Sequence, residues 1–70
     1  MKTFGENLKN LRKYHKISQC DFAKKMKTSQ QRISEWECDK VEPSLYNILR
    51  IIKILDCSFE DLVDGIDCEQ

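Results

Sequence analysis

The chain has 70 residues, of which 40% are hydrophobic and 34% charged, with equal numbers of basic and acidic side chains. Those proportions suit one folded domain rather than a disordered segment, and a core this small argues against an enzyme with its own deep substrate pocket. The longest uninterrupted apolar run is two residues, so neither a membrane-spanning helix nor a secretion signal is expected.

One proline, two glycines and few β-branched residues outside the Ile-rich stretch predict an all-α chain. The first helix starts at a Thr3…Glu6 box, where the hydroxyl can accept from an orphan amide one turn on. Phe4, Leu8 and Leu11 then follow at i, i+4 and i+7, and His15 near the end suits a helix C-terminus. Ser18…Asp21 opens the second helix, with Phe22, Ala23 and Met26 on one face. Thr28…Gln31 is read as the third start. There Ile33 and Trp36 go to the core, and Gln30, Gln31, Ser34 and Glu35 stay polar.

Pro43-Ser44 opens the fourth helix, whose broad stripe is Leu45, Ile48, Leu49, Ile52 and Leu55. Ile51 falls at the edge of that stripe and Ile54 almost opposite. Either short flanking helices bury them or they form a partner surface, most simply a dimer contact. Ser58…Asp61 opens a fifth helix that closes the core with Phe59, Leu62 and Val63. Residues 64–70 read as an acidic tail, and a core of about 4–63 makes residues 1–70 a single domain of five helices.

Cys20, Cys38, Cys57 and Cys68 include no close pair, and His15 is alone, so neither a metal site nor a cofactor is expected. With no secretion signal the cysteines read as reduced thiols of a cytoplasmic protein, Cys57 in the core and Cys68 in the tail. Charge is segregated along the chain. Residues 1–40 carry ten bases against five acids, and residues 41–70 two bases against seven acids. Such a split points to a basic contact surface plus an acidic tail.

The stretch SQCDFAKKMKTSQQRISEWE, residues 18–37, holds two short amphipathic helices separated by only Lys27-Thr28. A connection so short forces a steep crossing, the helix-turn-helix arrangement whose second helix fits the DNA major groove. In that reading Gln30 and Gln31 begin the recognition helix, and a glutamine can pair with adenine N6 and N7. Ser29 can reach a base or phosphate, Arg32 a guanine or phosphate, and Glu35 a cytosine amino group. Lys40 is placed for the DNA backbone, and Gln19 opens the second helix where a phosphate can sit.

The stretches FGENLKNLR, ISQCDFAKKM, TSQQRISEWE, EPSLYNILRIIKILDCS and FEDLV, in this order and spacing, resemble the XRE family, the helix-turn-helix family of lambdoid phage repressors and Cro. The resemblance covers about residues 4–63. It implies a compact bundle of four or five helices that binds specific DNA, usually as a dimer. It places Gln19, Gln30 and Gln31 at family contact positions and pairs Arg12 of the first helix with Glu37 ending the third. Two glycines usual in the family are missing, one in the turn, where Lys27 stands, and one after the third helix. There Asp39 can adopt a left-handed conformation.

The expectation is therefore a double-stranded DNA-binding transcriptional regulator, a repressor. It would act by occupancy as a homodimer on a pseudo-palindromic operator with half-sites about 10 bp apart, without a small-molecule effector. An antitoxin or protein–protein module that uses Ile51, Ile54 and the acidic tail is the alternative, and a metal-dependent enzyme is a third reading that the cysteine spacing opposes.

Overall fold

The computed structural model describes residues 2–66. Cys68 and the rest of the expected tail beyond residue 66 lie outside the described residues. Among the described residues five helices follow in chain order: α1 Phe4–Tyr14, α2 Gln19–Met26, α3 Gln30–Glu37, α4 Leu45–Leu55 and α5 Phe59–Val63. No strand occurs among the described residues, and none of their helices is long and apolar enough to cross a membrane.

Each helix begins at a hydroxyl. Thr3, Ser18, Ser29, Ser44 and Ser58 are extended, and each side chain accepts from the backbone amide three residues on. The third start differs from the expected Thr28 by one residue. Ser29 takes the cap, and Arg32 then stands where a reciprocal acceptor would be needed. The full reciprocal box forms at Ser58, whose backbone amide donates to Asp61 Oδ2 at 3.0 Å.

Leu8, Phe22, Ala23, Met26, Ile33, Trp36, Ile51, Leu55 and Leu62 make one buried core drawn from all five helices. The fourth helix resolves the open choice for Ile51 and overturns one expectation. Ile51 is 0% exposed and belongs to the core, so it is no part of a dimer surface, and Ile54 is half-buried against that core. Conversely Leu45 is 67% exposed and Leu49 47%, although the stripe placed both inward. α4 is apolar around most of its circumference, so periodicity alone does not choose the buried arc. Packing against α2 turns Ile51 and Leu55 inward and leaves the first turn overhanging. Phe59 is likewise 53% exposed, and only Leu62 of α5 is fully buried.

Among the described residues, four that are not glycine have positive φ: Lys16, Lys27, Asp39 and Asp56. Lys27 (φ 59°) ends α2 where a glycine is usual, and its amide still closes onto the carbonyls of Ala23 and Lys24. Asp39 (φ 61°) follows the C-cap of α3 and turns its carboxylate back onto the start of α1. Its Oδ1 accepts from the Gly5 amide at 2.9 Å and its Oδ2 from the Thr3 hydroxyl at 2.5 Å. The buried Asn7 ties the other end of the fold to α1. Its amide group donates to the carbonyls of Leu62 and Asp64, both at 2.9 Å.

Candidate nucleic-acid interface

α2 and α3 pack directly on each other across the turn Lys27–Ser29, and α1 backs α3. The inner face of α3 is used up by Ile33, Trp36 and Glu37. The sequence is otherwise polar there, so Gln30, Gln31 and Arg32 face outward and are exposed. Beside them is an open hollow of about 380 Å³. Gln19 from α2, Gln30, Gln31, Ser34, Glu35 and Cys38 from α3 and its cap, and Lys40 from the following loop all line it.

Five of the seven residues expected to touch DNA thus share one surface. Ser29 and Arg32 lie outside the lining. The Ser29 hydroxyl oxygen accepts from the Arg32 amide at 3.1 Å and so serves first as a helix cap. Arg32 Nε lies 3.7 Å from Glu35 Oε1 on the exposed side of α3. Ser34 and Cys38 line the hollow but were not selected from the sequence. Both follow Gln30 at intervals of four, so the helical repeat was the signal that could have found them.

A buried ion pair holds this surface from behind. Arg12 Nε donates to Glu37 Oε2 at 2.6 Å, and its Nη2 donates to Oε1 at 3.1 Å. The two side chains are 8% and 2% exposed. The remaining guanidinium nitrogen, Nη1, donates to the Ile17 carbonyl at 2.7 Å, so the charge is fully engaged. Gln19 Nε2 also donates to Glu37 Oε1, at 3.0 Å. One of its amide protons is thereby committed to the scaffold. The other proton and the carbonyl oxygen remain at the rim of the hollow.

The chemistry of the rim is amide, hydroxyl, thiol, carboxylate and ammonium. Among the described residues no group of His, Cys, Asp and Glu could hold a metal ion. Cys57, away from this surface, has its thiol pushed up from the ordinary 9.0 by burial and then by the charges of Asp61 and Asp56.

The helix-turn-helix family model matches residues 8–62. Repressor protein C2 of Salmonella phage P22 is 38% identical over 61 residues, covering 87% of this chain and 28% of the relative. The HTH-type transcriptional regulator DicA of Escherichia coli is 38% identical over 56 residues, covering 80% of this chain and 42% of the relative. The chain therefore spans less than half the length of either. Among solved structures, the P22 c2 repressor crystallised with a synthetic operator superposes with a TM-score of 0.84 at 35% identity, over 93% of this chain and 98% of that one. The DNA-binding domain of the same repressor in solution gives a TM-score of 0.84 at 36% identity, over 91% of this chain and 84% of that one.

Proposed function

This chain belongs to the XRE-type helix-turn-helix family, and from that membership we propose that it is a sequence-specific, double-stranded DNA-binding transcriptional regulator of the cytoplasm, a repressor. α3 enters the major groove with Gln30 and Gln31 leading. The observation that carries the reading is the shared polar hollow, where Gln19, Gln30, Gln31, Ser34, Glu35 and Lys40 converge. That set combines amide groups able to read base edges with a cation for the backbone. Arg32 and Ser29 extend the same face toward base or phosphate.

The protein acts as a homodimer on a pseudo-palindromic operator, blocking transcription by occupancy. The exposed Leu45, Tyr46 and Leu49 of α4 supply an apolar surface on which two copies can meet. Selection of bound sites from random duplexes tests the whole proposal. The expected product is a symmetric site with half-sites about one helical turn apart. Recovery of no enriched sequence would overturn the repressor reading in favour of a protein-binding module.

A further inference from the structure

A second hollow, of about 260 Å³, is lined by Lys25, Lys27, Arg50, Lys53 and Ile54. Four cations surround one half-buried apolar side chain. None of the four has an ion-pair partner among the described residues, where Arg12, Arg32 and Lys2 do. The hollow shares no residue with the one beside α3. It is built from the C-terminal end of α2 and from α4, whereas the first hollow takes the opposite end of α2 and α3. α2 packs on both of those helices. The cationic hollow is therefore separate from the surface that α3 presents.

The chain also carries the complement. Phe59 is half-exposed at the start of α5, next to the exposed Glu60 and Asp61. Asp56, which caps α4, stands near enough to act with Asp61 on the Cys57 thiol, so negative charge is concentrated at the α4–α5 corner. Glu60 has no ion-pair partner among the described residues. An aromatic ring flanked by carboxylates matches an apolar floor rimmed by cations. A neutral chain whose opposite charges lie on different surfaces is complementary to itself.

We infer that the cationic hollow between α2 and α4 is a docking site for the acidic α5 corner of a second copy of this chain, with Phe59 seated over Ile54 and Glu60 among Lys25, Lys27, Arg50 and Lys53. This contact goes beyond the apolar α4 surface of the proposed dimer and uses none of its residues. It is electrostatic and partly exposed, so added salt weakens it.

Sedimentation of the whole chain without DNA, over a concentration series at low and at high salt, tests it. The weight-average mass should rise with concentration at low salt and fall when salt is added. Lys53→Glu and Glu60→Lys should each weaken the low-salt association by roughly tenfold or more, because each brings like charges together across the interface. An equimolar mixture of the two variants should regain it, because the exchanged charges again face opposite partners. Lys53→Gln, which keeps the helix and removes only the charge, should give a smaller loss. Low-salt association that is absent, or unchanged in both charge-reversed variants with their helicity intact, overturns the inference, as does a mixture no tighter than its components. Because DNA is left out, this result stands apart from the operator selection, and either can fail alone.

Discussion

Gly5 of α1 lies directly against the backbone carbonyl of Glu37 at the end of α3. A Cβ added at Gly5 would collide with that carbonyl and sit 2.7 Å from the carbonyl of Trp36. Both neighbours are backbone, so neither can swing aside. The two helices approach this closely only because residue 5 has no side chain. Gly5→Ala should therefore destabilise the fold by about 1–3 kcal/mol, the usual cost of overpacking. Urea denaturation followed by circular dichroism measures it, and an unchanged midpoint would show that α1 can move away freely.

The Arg12–Glu37 pair is almost fully buried, so removing one partner strands the other charge. Arg12→Ala and Glu37→Ala should each cost about 3–5 kcal/mol. The double variant should cost less than the sum of the two. A double-mutant cycle in chemical denaturation reads the difference, and strict additivity would mean that the two side chains do not act together.

Lys27 holds a left-handed conformation that favours glycine. Lys27→Gly should raise stability by about 0.5–1 kcal/mol, the relief of strain exceeding the added freedom of the unfolded chain. The thermal midpoint checks this, and a lowered midpoint would mean that the turn carries no strain.

Gln30→Ala should relax base preference at one position in each half-site, a loss of about 1–3 kcal/mol of discrimination. Lys40→Ala should weaken binding to all duplexes alike and flatten the salt dependence. Titration of a panel of single-base operator variants separates the two effects. A Gln30→Ala protein with unaltered preference would displace Gln30 from the reading positions.

Alkylation of the native protein should modify Cys20 and Cys38 well before Cys57. The first two are exposed, while burial and two nearby carboxylates hold the Cys57 thiol in its neutral form at pH values where an ordinary thiol begins to ionise. Peptide mass mapping over time shows the order, and equal rates at all three would refute it.

The parts of this fold that were legible from sequence are those set by short-range chemistry. Hydroxyl caps act over three residues, so Thr3, Ser18, Ser44 and Ser58 could be read directly, and even the third start was missed by only one residue. The arc that α4 buries was not legible. Its stripe offered several apolar faces, and the choice of Ile51 over Leu45 depends on α2, which lies some twenty residues away in sequence. The same holds for Asp39. The residue type allowed a left-handed turn, but nothing local announced that its carboxylate would reach Thr3 and Gly5. At the hollow beside α3, the outward glutamines stood out as a polar run. Ser34 stood in that run without a contact role and Cys38 lay just past it, and their spacing of four from Gln30 gains meaning only once Gln19 of α2 and Lys40 are placed around them.

α3 and the loop behind it face two ways. Glu37 and Asp39 are spent on α1 and on Gln19, while residues 30, 31, 34 and 35 point away from the scaffold. The element is thus divisible into an interchangeable outer set and an inner set that must be kept. A transplant of the outer four positions from another protein leaves every tether to α1 in place. A transplant of the whole segment 30–39 also replaces Glu37 and Asp39, and with them the partners of Arg12, Gln19, Thr3 and Gly5.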